Sequence, residues 1–406
     1  MTDRVPASGT VHWIGAGLST GGGLAALCDS DAVREVRVWH RTEDRAAEAL
    51  AHLGLTGRAE PRAYTLPALT AELAPGDVVV SMLPAPEHAP LLAACVRGGA
   101  HFACSSYVSE AVLAQVPAAE AAGLVVLTEC GLDPGLDHLF AHSLVTRAEH
   151  AIGAGTPASY RLTSYCGGIP AVPNDFRYRF SWAPAGVLNA LRSPARYIED
   201  GAETVADRPW EVTRPHMIDG ETFEVYPNRD SVPFVEQYEL PTAWKARAFV
   251  RGTLRLDGWL TAWDGVFEEL KGGDDERIGA LARKLAARYP TTDADRDRVV
   301  LAVSLEVDVD EHEEGEEGHG DGHGDGDGGS GRRRSWSGRY LLDLEGDAAE
   351  SAMARCVSRT LALGVGHILD GSLPPGLSRA AETARRSDEW LAELDGEGLE
   401  FRLTVG

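Results

Sequence analysis

Apolar positions fall into short solid runs near the N-terminus and into longer alternating stretches further on. The solid runs occupy 10–16, 36–40, 77–81, 101–105 and 124–128. Between them, apolar residues recur at helical spacing over 21–29, 45–53, 89–97 and 109–122. Short apolar runs bounded by glycine or polar residues suit strands buried on both faces, and strand alternating with helix predicts a parallel, doubly wound sheet. After Gly131 the strands become longer and more polar, at 160–165, 222–226, 245–256, 298–309 and 336–344. That pattern predicts a second, mostly antiparallel sheet of the kind that supplies a substrate-binding or dimerising domain. Residues 261–270 and 275–289 read as helices, the second stopped by Pro290, and 351–369 as an apolar helix interrupted by Gly364 and Gly366.

A length of 406 residues suits two or three domains, and 44% apolar content is enough to fill their cores. No apolar run is long enough to span a bilayer, and the N-terminus lacks the charged-then-apolar layout of a secretory signal, so the cytoplasm is the expected compartment. The six cysteines are scattered without a CxxC pair, which argues against a disulfide framework and a zinc site. A net charge of −24 argues against nucleic acid as a partner. Part of that charge sits in an insert at 310–334, rich in Asp, Glu, Gly and His and then abruptly basic, which reads as a solvated, disordered hairpin tip. Its His312, His319 and His323 offer at most weak chelation. Asp321, Asp325 and Asp327 lack the terminal glutamate and flanking helices of a calcium loop, so no metal is expected.

Candidate chemistry concentrates at the ends of the buried runs. Gly15, Gly17 and Gly21 stand in a GAGLSTGGG cluster that follows a strand and opens a helix. In that setting Gly15 makes a tight turn, Gly17 admits a pyrophosphate to the backbone, and free amides at the helix start bind it. The third glycine is one place late, with Thr20 at its usual position. The same residues contain a G-x-S-x-G string centred on Ser19, the pattern of a hydrolase nucleophile elbow. Such an elbow normally follows several strands, and it leaves Gly15 unexplained. At the end of the second run Arg41 and Thr42 replace the acid that holds ribose hydroxyls in NAD sites, which favours a 2′-phosphate and hence NADP(H). Ser105, Ser106 and Tyr107 follow the fourth run, and Leu132, Asp133 and Pro134 the fifth, where strand C-termini present ligand-binding loops. Asp133-Pro134 also reads as a helix start, with proline at the first helical position. Arg229, and Arg251 with Arg255, lie in later strands, where guanidinium groups suit carboxylates.

Seven strings complete the picture: SYVS at 106–109, GLDPGLDH at 131–138, SYCGG at 164–168, FSW at 180–182, YPNRDS at 226–231, RGTLR at 251–255 and SAMAR at 351–355. In this order they resemble the saccharopine reductase family, the NADP-dependent, glutamate-forming saccharopine dehydrogenases. The likeness covers nearly the whole chain. It implies an α/β fold with an N-terminal Rossmann doubly wound parallel sheet, a mixed-sheet α+β substrate domain and a small helical domain, often paired as a homodimer. On this chain the division is 8–131 for the dinucleotide-binding domain and 132–260 with 295–350 for the substrate and dimerisation domain. Residues 261–294 make the helical subdomain, and 351–406 are C-terminal helices returning toward the nucleotide domain.

The resemblance also implies roles. Gly17, Leu18, Ser19 and Thr20 would touch the pyrophosphate, with Gly15 at the turn, and Arg41 and Thr42 would hold the 2′-phosphate. Ser105, Ser106, Leu132, Asp133 and Pro134 would lie along the cofactor. Ser106, Tyr107, Asp133, Arg229, Thr253, Leu254 and Arg255 would line the site of a small amino-acid substrate. The implied activity joins aminoadipate semialdehyde to glutamate through an imine and reduces it to saccharopine, or runs the reverse, in lysine metabolism. A protonated imine accepts hydride best, so Tyr107, Asp133 and Cys166 are expected to handle protons or stabilise the iminium, with Arg229 and Arg255 clamping carboxylates. The chain departs from the family in a shortened stretch between Gly168 and Phe180, in Ala183 where a polar residue is usual, and in the insert. Two alternative readings keep the fold, a sister reading with another substrate and a second function class. One is a carboxynorspermidine or other opine-type imine reductase, and the other is a non-catalytic NADP-binding regulator.

Overall fold

The computed structural model describes residues 3–290, 292, 294–309, 334–380 and 383–406. The expected insert, with its histidine and aspartate sets, lies outside the described residues except for Arg334.

The N-terminal apolar runs become β1 (Thr10–Ile14), β2 (Glu35–His40), β4 (Val78–Ser81), β5 (His101–Cys104) and β6 (Val125–Thr128). Two further strands join them, β3 (Glu60–Ala63) and, from far along the chain, β15 (Gly376–Arg379). All pairings are parallel, in the order β15-β6-β5-β4-β1-β2-β3. The order reverses between β1 and β4, and open sheets of this type bind ligands in the crevice outside that switch point. The connecting helices are α1 (Gly22–Asp29), α2 (Glu43–His52), α3 (Leu66–Glu72), α4 (His88–Gly98), α5 (Glu110–Leu113) and α6 (Val116–Ala121). Helices cover both faces of the sheet, so β1, β4, β5 and β6 are buried at every position.

The second sheet is mixed. Its main path joins β10 (Arg214–Ile218), β11 (Glu221–Pro227), β12 (Trp244–Leu256), β7 (Ala158–Pro170), β13 (Asp297–Val309), β14 (Ser335–Glu345) and β16 (Phe401–Val405). The long central pair β12 and β7 is parallel, and the other neighbours on this path are antiparallel. A ribbon of β8 (Ala195–Glu199) and β9 (Ala202–Ala206) attaches to β12.

Two buried helices separate the sheets: α7 (Leu136–Ile152) and α13 (Ala352–Leu369), which share one apolar core with residues of both. α7 does not begin at Pro134. The Asp133–Pro134 peptide is cis, the Gly131 amide donates to the Pro134 carbonyl at 2.9 Å, and Gly135 is the N-cap, so the proline belongs to the turn before the helix. α13 runs without interruption through Gly364, where a Cβ would meet Cys130 Sγ and Leu127 at 2.6 Å. That glycine lets the helix approach the loop after β6 instead of breaking it.

A satellite core gathers α8 (Pro184–Arg192), α10 (Trp259–Ala262), α11 (Asp264–Gly272) and α12 (Asp275–Arg288) around Phe176, Tyr178, Trp259 and Trp263. The remaining helices are α9 (Pro233–Gln237) and α14 (Ala384–Gly396). The C-terminal segment divides its contacts. α13 and β15 pack on the nucleotide sheet, whereas β16 extends the other one.

Helices α1 and α13 approach tightly at Gly23 of α1, where a Cβ would lie 1.9 Å from the Ser358 carbonyl oxygen of α13. Gly23→Ala therefore forces the helices apart, and we expect a loss of about 1–3 kcal/mol in urea unfolding. An unchanged midpoint would show that the pair can spread freely.

Candidate active site

β1 runs into Gly15, whose φ is +96° and where a Cβ would lie 3.3 Å from the Met82 carbonyl oxygen. Gly17 is exposed, and no atom lies within 4 Å of where its Cβ would stand. Among the described residues, the amides of Gly17, Leu18 and Ser19 have no partner, and Leu18 projects 54% exposed. This is an open cradle of donors suited to an anion. Thr20, in the usual third-glycine position, is buried and closes the loop: its hydroxyl donates to the Gly15 carbonyl at 3.3 Å and accepts from Trp13 Nε1 at 3.3 Å.

The helix-start amides were expected to be free, and they are not. Gly22 N–H donates to Glu350 Oε1 at 2.5 Å and Gly23 N–H to Ser358 Oγ at 3.0 Å. A Cβ at Gly21 would meet the Glu350 carboxylate at 2.0 Å, so a larger residue there displaces this side chain from the helix start. Glu350 and Ser358 thus cap α1, and the unpartnered amides lie in the loop before it.

At the end of β2, Arg41 and Thr42 are exposed, and the Thr42 hydroxyl caps α2 by accepting from Arg45 N–H at 3.3 Å. Its hydrogen remains available to a phosphate. Burial, then Arg41 and then Arg45, lowers the His40 imidazole below its ordinary range. Both guanidinium groups therefore act on the same end of the strand.

Beyond β4 and β5, His88 at the start of α4 bridges two hydroxyls. Its Nδ1 lies 2.9 Å from Ser81 Oγ and its Nε2 2.9 Å from Ser106 Oγ. Burial pushes the imidazole down to about 4, so it is neutral at physiological pH. Ser105 packs against Gly131, where a Cβ would meet the Ser105 Cβ at 2.8 Å. Leu132 and Pro134 are buried beside it.

The centre of the crevice is a charged cluster. Tyr107 Oη donates to Asp133 Oδ1 at 2.6 Å. From β12, Arg251 Nη2 reaches Tyr107 Oη at 2.9 Å, Asp133 Oδ1 at 2.9 Å and Asp137 Oδ2 at 2.5 Å. Its guanidinium stacks on Phe234 of α9, 3.9 Å from the ring centre. Burial, and then Asp137, raises the Asp133 carboxyl above its ordinary range. Burial also raises the Tyr107 phenol and the Cys166 thiol, the latter further by Asp133 and Asp137. Both stay protonated, which leaves them as donors and rules them out as bases.

A second network fixes the loop that carries Tyr107. The Glu129 carboxylate accepts from Val108 N–H at 3.2 Å and from Gln237 Nε2 at 3.1 Å. Its ion-pair partners are Arg379, and His138 at 3.2 Å without hydrogen-bond alignment. Burial would raise this carboxyl, but His138, Arg379 and the amide hold it at about 2.

The three arginines separate by role. Arg251 was expected to suit a ligand carboxylate, yet it is consumed by Asp133 and Asp137. Arg229, with φ +58°, lies exposed with its guanidinium 5.4 Å from the Tyr107 ring centre. Arg255 is 5% exposed inside a cage of Tyr178, Tyr226 and Trp259, at 4.9, 5.7 and 5.6 Å. Among the described residues neither Arg229 nor Arg255 has a carboxylate partner. Thr253 pairs with Cys166 across β12 and β7. Leu254, expected to line the substrate, points its side chain into the apolar core on the far face of the sheet with Tyr165 and Ile169. Strand alternation dictates this, so only its main chain is available to a ligand.

Asp137, Phe234 and His88 were given no role on sequence grounds. Asp137 stands in the GLDPGLDH string, and that placement was its one signal. Removing Arg251 leaves two buried carboxylates uncompensated. The Asp133 carboxyl, already raised by burial and Asp137, then loses the cation that opposes that rise, the folded state binds more protons, and stability falls as pH rises. We expect Arg251→Met to cost about 3–5 kcal/mol near pH 7.5 and clearly less near pH 5.5. A pH-independent loss in denaturant titrations would refute this charge balance.

Residues 11–127 match the family described as saccharopine dehydrogenase NADP binding domain, and residues 131–399 the saccharopine dehydrogenase C-terminal domain. Over 198 residues the chain is 41% identical to saccharopine dehydrogenase (NADP(+), L-glutamate-forming) of Pyricularia oryzae, covering 47% of this chain and 42% of that one. It is 40% identical over 198 residues to the protein of the same name from Saccharomyces cerevisiae, covering 47% and 43%. The chain therefore spans under half the length of these relatives. Its structure resembles apo saccharopine dehydrogenase (L-Glu forming) from Saccharomyces cerevisiae with a TM-score of 0.77 at 25% identity, over 98% of this chain and 99% of that one. It shares a fold with homospermidine synthase from Legionella pneumophila, TM-score 0.57 at 11% identity, over 100% and 93%. The cradle after β1, the parallel sheet and the mixed sheet facing it are thus those of a known family: this chain belongs to the saccharopine dehydrogenases.

Proposed function

We propose that the chain is an NADP-dependent oxidoreductase acting on CH–NH bonds, which reduces the imine of aminoadipate semialdehyde and glutamate to saccharopine, or runs the reverse. The observation that carries this reading is the charge distribution in the crevice. Two carboxyl groups, Asp133 and Asp137, face one guanidinium, Arg251, so acidic groups outnumber guanidiniums here, with His138 3.6 Å from Asp137 on the side of α7. Two further guanidiniums, Arg229 and Arg255, have no carboxylate partner among the described residues. A ligand with a cationic nitrogen and carboxylates around it complements this pattern, and an iminium or amine joining two amino acids is such a ligand.

The cofactor fits the residues present. The open space at Gly17 and the unpartnered amides of Gly17, Leu18 and Ser19 suit a pyrophosphate, and Arg41 and Thr42 suit a 2′-phosphate. Ser105, Ser106, Leu132 and Pro134 border the path between them and Asp133. When bound, NADPH supplies the hydride. Asp133 stabilises positive charge on the substrate nitrogen and, with its raised pKa, takes up the proton that a secondary amine must lose in the reverse direction. Tyr107 and Cys166 remain protonated and orient the reacting nitrogen or a water. Arg229 and Arg255 bind substrate carboxylates, and Thr253 lines the space between Arg255 and Cys166. The same family reading carries a homodimer in the cytoplasm. Among the described residues no helix is long and apolar enough to cross a membrane.

The direct test is NADPH oxidation with aminoadipate semialdehyde and glutamate, repeated with NADH. We expect turnover with NADPH and a kcat/KM with NADH lower by about tenfold or more, the value of a lost charge-assisted contact to the 2′-phosphate. Equal use of both cofactors would remove the role given to Arg41. Arg229→Ala should raise the KM for saccharopine at least about tenfold and leave NADPH affinity unchanged. Parallel loss of both affinities would defeat the carboxylate assignment.

A further inference from the structure

Ser81, His88 and Ser106 form a line that starts in the core and ends in the crevice. Ser81 closes β4 and is buried, His88 is 2% exposed with Phe102 edge-on at 6.1 Å, and Ser106 is half-buried beside Tyr107. We propose that Ser81 and His88 are positioning residues that fix the direction of this line, so that Ser106 presents its hydroxyl hydrogen to a carbonyl or carboxylate oxygen of the bound ligand. The proposal deepens the function given above and rests on it for the identity of the ligand.

The direction follows from counting hydrogens. A neutral imidazole has one N–H and one lone pair, so it donates through one nitrogen and accepts through the other. Among the described residues, Ser81 Oγ has a single partner, His88 Nδ1 at 2.9 Å. A buried hydroxyl with one neighbour places its only hydrogen there, because an unpaired donor is costly away from water. Nδ1 is then the acceptor, and the imidazole hydrogen sits on Nε2. That N–H donates to Ser106 Oγ at 2.9 Å and occupies a lone pair of the hydroxyl. The Ser106 hydrogen therefore has no partner within the described residues. The line stops at Ser81 inside the core, so it orients a donor and carries no proton to solvent. Burial keeps the imidazole neutral and so preserves the one-way arrangement.

Two measurements on the full chain test this. The first is the tautomer of His88 by ¹⁵N NMR of histidine-labelled protein, with the signal assigned by its loss in His88→Gln. Protonation on Nε2 is expected, and protonation on Nδ1 overturns the proposal. The second is a double-mutant cycle. His88→Phe keeps the ring packing and removes both contacts, and it should lower kcat/KM about three- to tenfold. In a Ser106→Ala background the same change should cost nothing more, because His88 acts through that hydroxyl. His88→Gln, which retains a donor near the Nε2 position, should recover most of the loss. Additive losses, or equal losses in the Phe and Gln variants, would mean that His88 serves folding alone. Ser81→Ala replaces His88→Phe in the cycle if the latter fails to fold. An effect confined to NADPH affinity places the acceptor on the nicotinamide carboxamide, and one confined to the amino-acid KM places it on a substrate carboxylate. If the wild type turns over no saccharopine, the function above fails. The tautomer and the NADPH dissociation constants, read by fluorescence, still decide this proposal.

Discussion

A single guanidinium joins the two sheets at the point where the chemistry is placed. Arg251 belongs to β12 of the mixed sheet, Tyr107 and Asp133 to loops of the nucleotide sheet, and Asp137 to the helix between them. Its side chain is 4% exposed, with one carboxylate fully buried and the other at 15% exposure. Burying these groups costs desolvation that their attraction only partly offsets, so the cluster is a poor device for stability alone. It is a good device for geometry. A bond set that spans three elements admits one mutual placement of Tyr107 and Asp133, and Phe234 beneath the guanidinium fixes the height at which the cation lies.

The Glu129 network supports the same arrangement from behind. Its carboxylate holds the Val108 amide, one residue past Tyr107, while Gln237 ties it to α9, the helix that supplies Phe234. His138 follows Asp137 on α7 and stacks on Phe234 at 5.4 Å, with its Nδ1 on Tyr238 Oη at 2.9 Å. His138 stands between the two networks, 3.2 Å from Glu129 Oε2 and 3.6 Å from Asp137 Oδ2. The loop after β5 is held at adjacent residues by separate anions. A tyrosine that must keep its hydroxyl within 2.6 Å of a carboxylate gains from both.

What was legible in the sequence follows from what each element buries. β1, β4, β5 and β6 are covered on both faces, so each is a solid apolar run. β3 is an edge strand with no buried position, and β15 is a four-residue strand docked far along the chain from its neighbour β6, so neither has a local pattern. α7 was legible only as a helix start near Pro134, and its course was not, for the opposite reason. It is buried nearly all round and carries Asp137, His138, His142 and Ser143 inward, which erases the helical alternation. The glycine loop was legible as a turn, but the capping of its helix by Glu350 was not, because the partner lies 328 residues away. The seven strings placed Tyr107, Asp133, Arg229 and Arg255 in one region. They could not show that Arg251 and Asp137 neutralise part of it, since a sequence shows a charge and not its partner.

That last distinction decides how the site can select a ligand. An arginine saturated by two aspartates has no capacity left for a carboxylate, and it sets the sign of the pocket instead. Arg255 is also buried, yet its surroundings are aromatic. Ring faces ease the burial of a cation by their quadrupole without cancelling its net charge. Its charge is therefore still available to an anion arriving from solution. Arg229 keeps its charge by staying exposed, aimed by a left-handed backbone and the Tyr107 ring. Two arginines of β12 and one in the loop after β11 thus divide into one structural counter-ion, Arg251, and two guanidiniums without a carboxylate partner among the described residues. The difference arises from what lies beside each of them, carboxylate, aromatic cage or solvent, and not from the residue type that the sequence displays.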